Sequence, residues 1–134
     1  MIENIPDSLN KTAPRLILVV DDEPRMIRFI RMNLELEGYQ VVEASNGIDA
    51  LDQVRKHMPE LIIMDVMMSG GMDGLEATRI LKNDPETKGC RIIMLTAKGQ
   101  EIDKEKGIEA GADDYFVKPF SPLELIKKVE EFLG

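Results

Sequence analysis

The sequence contains little of what several classes of protein require. Its single cysteine, Cys90, excludes an internal disulfide and a cysteine-based zinc site. No stretch approaches the roughly 18 consecutive apolar residues of a membrane span, and the first residues lack the features of a secretory signal. Acidic residues outnumber basic ones, and the formal net charge of −8 argues against nucleic-acid binding by this chain alone. We expect a cytoplasmic protein that binds neither nucleic acid nor membrane.

The rest of the composition predicts one globular domain preceded by a tail. Hydrophobic residues make up 43% of the 134 residues, which suits a single core, and one domain typically has about 100–150 residues. Residues 1–14 include two prolines and several polar side chains but no apolar run, so we expect a flexible tail there. The folded domain is then predicted to span residues 15–134.

Short apolar segments alternate with segments of helical length. The predicted strands are Leu16–Val20, Tyr39–Glu43, Leu61–Met64, Ile92–Leu95 and Tyr115–Val117. Three of them are apolar without alternation, which is typical of parallel strands buried on both faces. The predicted helix after the fourth strand is the weakest, because it contains few large apolar residues. The pattern predicts an α/β fold: a doubly wound, flavodoxin-like (βα)5 sandwich around a five-stranded parallel sheet in the order 2-1-3-4-5.

Acidic residues follow the two strands that flank the switch point of this predicted sheet. Asp21 and Asp22 come directly after strand 1, and Asp65 comes directly after strand 3. Because parallel strands end at one edge, these carboxylates should share a pocket. Two like charges about 4 Å apart repel by roughly 4 kcal/mol at an effective dielectric of 20, so a cation is needed to gather them. A site with only oxygen ligands, such as these carboxylates would form, favours Mg²⁺. The alternative interpretation is that the three acidic residues are solvated side chains on loops.

Two further strand ends complete a set of groups suited to phosphate. Thr96 follows strand 4 and presents a hydroxyl, and Lys118 follows strand 5 and presents an ammonium group. A metal ion and a lysine can neutralise phosphoryl oxygens while a carboxylate acts as nucleophile. Taken singly, Thr96 is an ordinary strand-end residue and Lys118 a surface lysine. The prediction therefore depends on their combination with the carboxylates.

These strand ends resemble the receiver domain of two-component response regulators. The segments VVDDE, IIMDVMM, MLTA and GADDYFVKPF carry the resemblance, which covers nearly the whole predicted domain. It implies that Asp65 accepts a phosphoryl group from the phosphohistidine of a histidine kinase. It also implies that Asp22, Asp65 and the backbone carbonyl of Met67 bind Mg²⁺ directly, and that Asp21 acts through a coordinated water. Lys118 would contact the phosphoryl group, with a cis peptide bond before Pro119.

The resemblance implies a switch as well as a site. Thr96 would move toward the phosphate and Tyr115 would follow inward, which changes the face formed by helix 4, strand 5 and helix 5. The implied partners are a sensor histidine kinase or histidine phosphotransfer protein, a downstream effector, and a second copy in a phosphorylation-dependent homodimer. Solvated surface charge is one interpretation of several charged residues near this face, and ion pairs across such a dimer are the other. These residues are Lys104, Lys106, Asp113, Asp114 and Lys128.

The loop after Asp65 departs from the usual pattern of the family. Ser69 stands where proline is usual, and the loop is one residue longer and contains two adjacent glycines. Met67 and Lys98 flank the pocket, and neither is suited to orient an attacking water. We therefore expect slow self-dephosphorylation. Beyond that and self-phosphorylation from a phosphodonor, we expect no enzymatic activity.

Three other assignments were weighed beside a stand-alone regulator or phosphorelay intermediate. The first is the receiver part of a longer regulator, with a DNA-binding or enzymatic output, or of a hybrid kinase. The second is a phosphatase of the haloacid dehalogenase type, which places Asp-x-Asp after its first strand, whereas Asp21 and Asp22 are adjacent. The third is a flavodoxin, whose flavin phosphate would be repelled by Asp22 and Glu23.

Overall fold

Strands and helices alternate strictly along the chain. The computed structural model describes residues 15–97 and 99–134, without the side chains of residues 101–103; the predicted tail and Lys98 lie outside the described residues. The strands are β1 Leu16–Val20, β2 Gln40–Ala44, β3 Leu61–Asp65, β4 Arg91–Ala97 and β5 Asp114–Lys118. The helices are α1 Pro24–Leu36, α2 Gly47–His57, α3 Gly74–Asn83, α4 Glu101–Ala110 and α5 Pro122–Leu133.

All the strand pairs are parallel, and the sheet order is β2-β1-β3-β4-β5. The predicted doubly wound fold is therefore confirmed. Four strands, β2 to β5, end later in the chain than the apolar pattern predicts. The backbone pairing of Asp65 with Leu95 and of Thr96 with Val117 continues the sheet into polar residues. Asp65, Thr96 and Lys118 therefore lie within β3, β4 and β5, and the prediction that they follow these strands was wrong by one position.

The sheet separates two apolar cores because successive side chains of a strand point to opposite faces. On one face Leu18, Ile62 and Met94 pack against residues of α2 and α3. On the other face residues of the same central strands, including Val19 and Ile63, pack against α1 and α5. Burial on both faces explains why these strands read as continuous apolar runs.

The helices differ in how their first turns are stabilised. The side chains of Asn46, Asp73 and Ser121 accept hydrogen bonds from backbone N–H groups at the starts of α2, α3 and α5. A cap of this kind contributes about 1 kcal/mol. The side chains of Glu23 and Gln100 do not cap α1 and α4. The sequence of α4 also includes Gly107, which is unfavourable inside a helix by about 1 kcal/mol. Among the described residues no helix has the length and apolar character needed to cross a membrane.

Gly74 allows the loop after β3 to return close to the strand. A Cβ atom at this position would lie 2.0 Å from the backbone oxygen of Asp65, so no side chain fits there without a backbone shift. The Gly74 N–H donates to the carbonyl of Val66 at 3.1 Å. The start of α3 is thus fixed directly beneath the end of β3, where Asp65 lies.

Candidate functional site

Three carboxylates meet at the C-terminal edge of the sheet. One oxygen from each of Asp21, Asp22 and Asp65 lies within 4.8 Å of the others, and we call these residues the acidic cluster. They meet there because β1 and β3 are paired neighbours that end at the same edge. Asp21 is 1% exposed and Asp65 is 6% exposed, whereas Asp22 is open to solvent.

Lys118 joins the two buried carboxylates of the acidic cluster. Its Nζ donates to Asp21 Oδ2 at 3.1 Å and to Asp65 Oδ1 at 3.3 Å. It reaches them from the end of β5, two strands away from β3, and its peptide bond to Pro119 is cis. Asp21 Oδ1 also accepts the backbone N–H of Glu23 at 2.9 Å. Among the residues that the structure describes, one ammonium group thus contacts the acidic cluster, which does not balance its three carboxylates.

Burial and the neighbouring negative charge both favour the protonated form of Asp65. Burial and the nearby charge of Asp21 raise the pKa of Asp65 to about 7 from an ordinary 3.8, although Lys118 acts in the opposite direction. Burial lowers the pKa of Lys118, but the charges of Asp65 and Asp21 outweigh burial and leave that pKa above its ordinary value. A second positive charge at the acidic cluster would return Asp65 to its ionised form.

The acidic cluster fits a hard divalent cation. It offers only oxygen donors, which is the preference of Mg²⁺, and it carries the uncompensated charge that such an ion would balance. Asp21, Asp22 and Asp65 are the residues that could hold the ion. Met67, whose backbone carbonyl is also a predicted ligand, lies two residues after Asp65 on the loop that follows β3, and its side chain is 69% exposed.

Thr96 and Tyr115 lie on one face of the sheet. Thr96 pairs with Val117 and Tyr115 pairs with Met94, so the side chains of Thr96 and Tyr115 alternate onto the same side of β4 and β5. The Thr96 hydroxyl is buried and has no hydrogen-bond partner within residues 15–97 and 99–134, which is costly by about 1–3 kcal/mol. The Tyr115 ring is 37% exposed, with the Nζ of Lys104 4.7 Å from its centroid.

Ser69 is a site residue that the sequence analysis missed. Its backbone N–H and its hydroxyl both donate to Asp22 Oδ2, at 3.1 and 3.2 Å. The sequence signal was the serine itself, because the proline that is usual at this position has neither a backbone N–H nor a hydroxyl group. What the sequence could not show was that the longer loop carries Ser69 back to β1, 47 residues earlier in the chain.

Comparison with known proteins gives one consistent family. Residues 17–130 match the model of the response regulator receiver domain. The transcriptional regulatory protein ResD of Bacillus subtilis is 46% identical over 125 residues, which are 93% of this chain and 50% of ResD. The chain thus spans about half the length of the curated relatives it matches.

Solved structures agree with this assignment. The chemotaxis response regulator CheY4 of Vibrio cholerae is 31% identical with a TM-score of 0.83, over 90% of this chain and 99% of CheY4. The signal receiver domain of a signal transduction histidine kinase from Syntrophus aciditrophicus is 34% identical with a TM-score of 0.82, over 89% of both chains.

We expect Asp65→Asn to stabilise the metal-free protein at pH 8. The raised pKa of Asp65 means that folded-state stability is lost as pH rises through about 7, and the amide removes this ionisation. Since one pKa unit corresponds to about 1.4 kcal/mol, the gain should be up to about 4 kcal/mol at pH 8 and smaller at pH 5. Urea unfolding at the two pH values without Mg²⁺ measures it.

Asp22→Asn is the matched control for this prediction. It removes a carboxylate from the same acidic cluster, but one that is exposed to water and does not contact Lys118. We expect a smaller gain that changes little between pH 5 and pH 8. An equal gain from Asp65→Asn at both pH values would contradict the raised pKa.

Proposed function

The chain belongs to the response regulator receiver family and is a phosphorylation-dependent signalling switch, and we propose that Asp65 is its phosphoryl acceptor. One observation carries this assignment. Asp65 is the carboxylate at the end of a central strand that is at once within reach of Asp21 and Asp22 and bonded to Lys118. An acceptor needs this setting, because the incoming phosphoryl group adds about −1.5 to −2 charges to an already acidic edge.

The proposed reaction is transfer from phosphohistidine to a carboxylate. An oxygen of Asp65 attacks phosphorus, the new O–P bond forms as the P–N bond breaks, and the electron pair stays on the imidazole nitrogen, which takes a proton from solvent. Lys118, already bonded to Asp65, offers its ammonium group to the phosphoryl oxygens. Bound at the acidic cluster, Mg²⁺ would supply further neutralisation of those oxygens.

The proposed switch starts at the Thr96 hydroxyl. This buried group lacks a partner within the described residues, and a phosphoryl oxygen on Asp65 would provide an acceptor. Movement of Thr96 toward the phosphate leaves space on the same face of the sheet, into which the half-exposed Tyr115 ring follows. The N-terminus of α4 has no side-chain cap, whereas those of α3 and α5 are capped by Asp73 and Ser121. The face formed by α4, β5 and α5 is therefore the part that changes.

The size of the response follows from simple energetics. Moving a two-state equilibrium from 1:99 to 99:1 takes about 5.5 kcal/mol of differential stabilisation. A hydrogen bond to a charged group contributes about 1.5–3 kcal/mol. Phosphorylation alone therefore shifts the population partly, and a bound partner completes the change.

The proposed partners follow from the two halves of this cycle. A sensor histidine kinase or a histidine phosphotransfer protein supplies the phosphoryl group. A downstream effector, or a second copy in a homodimer, binds the changed face of α4, β5 and α5. The same switch serves a stand-alone regulator, a phosphorelay intermediate or the receiver of a longer protein, and the relatives include regulators and a histidine kinase.

We expect acetyl phosphate with Mg²⁺ to add one phosphoryl group to the protein and none to Asp65→Asn. Intact mass spectrometry measures the addition, and hydroxylamine, which cleaves acyl phosphates, should remove it. Asp52→Asn, an exposed carboxylate on α2, is the matched control and should be labelled like the parent. Labelling of Asp65→Asn, or labelling without Mg²⁺, would contradict the assignment.

We expect the phosphoryl group to be lost slowly, and faster from Met67→Asn. The exposed thioether of Met67 cannot orient an attacking water, whereas an amide can donate and accept hydrogen bonds. The mass of the labelled protein, followed after removal of acetyl phosphate, gives the decay rate. Met58→Asn, which replaces another exposed methionine away from the acidic cluster, should decay like the parent. Unchanged or slower decay in Met67→Asn would show that this side chain does not limit the reaction.

We expect the Tyr115 ring to become protected from solvent when the protein is phosphorylated. The chain has no tryptophan and two tyrosines, so in a Tyr39→Phe background its ultraviolet emission reports Tyr115. Acrylamide quenching should fall when acetyl phosphate and Mg²⁺ are added. Adding Asp65→Asn or Thr96→Ala should abolish the change, and a ring that stays as accessible as before would refute its role in the switch.

A further inference from the structure

We propose that Ser69 is a positioning residue for Asp22 and sets the Mg²⁺ affinity of the acidic cluster. This rests on the proposed function, because it assigns a role toward the ion that the cluster would hold. The observation is the pair of hydrogen bonds from the Ser69 backbone N–H and hydroxyl to Asp22 Oδ2, at 3.1 and 3.2 Å.

Asp22 needs such support more than the other two carboxylates. Asp21 is buried and held by Lys118 and by the N–H of Glu23, and Asp65 is buried and held by Lys118. Asp22 is exposed, and within residues 15–97 and 99–134 the donors to its side chain are those of Ser69. Without them, repulsion from the two neighbouring carboxylates would favour rotation of the Asp22 side chain toward solvent.

The kind of donor matters as much as its presence. Lys118 offsets the charge of the carboxylates that it contacts, whereas a serine hydroxyl and a backbone N–H are uncharged and leave Asp22 its full attraction for a cation. Both bonds end on Oδ2, so Oδ1 stays available as a ligand. Hydrogen bonds that orient ligating carboxylates in this way typically change metal affinity by about 10- to 100-fold when they are lost.

The loop holds Ser69 in place. Its far end is anchored where the Gly47 N–H donates to the Met72 carbonyl at 3.0 Å, and a Cβ on Gly47 would lie 2.7 Å from that oxygen. Between the two anchors, Gly70 and Gly71 have φ values of +93° and +105°, which residues with a side chain rarely adopt. The extra residue and the glycines thus let the chain reverse after Ser69 while its two donors face β1.

The test compares variants that remove one donor or both. Ser69→Ala removes the hydroxyl and keeps the N–H, and we expect about threefold weaker binding of Mg²⁺. Ser69→Pro removes both donors and should weaken binding about tenfold or more. Ser69→Thr keeps both and should bind like the parent. Calorimetric titration with Mg²⁺, and Mn²⁺ titration followed by electron paramagnetic resonance, measure the affinity without any phosphodonor.

Two controls separate positioning from general damage to the loop. Ser45→Ala removes an exposed hydroxyl beside the same cluster and should leave Mg²⁺ affinity unchanged. In an Asp22→Asn background, Ser69→Ala should cause no further loss, because the carboxylate through which Ser69 acts is gone. A further loss there would assign the effect to the loop and overturn the proposal.

Failure of this inference is distinguishable from failure of the proposed function. With acetyl phosphate, the Mg²⁺ concentration for half-maximal labelling should rise in Ser69→Ala, while the labelling rate at saturating Mg²⁺ stays that of the parent. A parent that binds Mg²⁺ and is labelled on Asp65, together with Ser69 variants that bind the ion equally or more tightly, overturns the role of Ser69 alone. A parent that neither binds Mg²⁺ nor is labelled overturns both.

Discussion

The site depends on electrostatic repulsion between the carboxylates of Asp21 and Asp65, which the fold holds close together and which Lys118 only partly offsets. The apolar cores on both faces of the sheet hold β1 and β3 side by side, and so bring Asp21 and Asp65 together at their ends. Lys118 bonds to both and prevents a pair of unpaired buried charges, yet the pKa of Asp65 still rises to about 7. Hydrophobic packing thus maintains a charge arrangement that is unfavourable by itself. A site in this condition responds strongly to any added cation or anion.

The fold was predictable because its signals are local. Continuous apolar runs identified strands buried on both faces, and the intervening segments of helical length form the observed helices. The positions of Asp21, Asp22, Asp65 and Lys118 then followed from the sheet order, because parallel strands end at one edge. The exact ends of β3 and β4 did not follow, since backbone pairing continued one residue or more past the apolar side chains.

Contacts that depend on side-chain conformation could not be predicted from the sequence. Asp113 and Asp114, considered for a dimer face, instead pair within the chain, with Lys82 and Lys128, each at 2.9 Å. The burial of the Thr96 hydroxyl, without a hydrogen-bond partner in the part of the chain that the structure describes, also needed coordinates. The family resemblance implied roles for these residues, and the structure showed their ion pairs and their burial. The bonds from Ser69 to Asp22 came from neither source, because they depend on a loop that differs from the family pattern.

The contact between Lys118 and Asp21 spans 97 positions of the chain and joins its first strand to its last. During synthesis, β1, β3 and their carboxylates leave the ribosome long before Lys118 does. An unfinished polypeptide therefore carries Asp21 and Asp65 without the ammonium group that bonds to both in the folded protein. The long span makes the charge balance of this edge a late event in folding, because the two carboxylates gain their ammonium partner only when β5 joins the sheet.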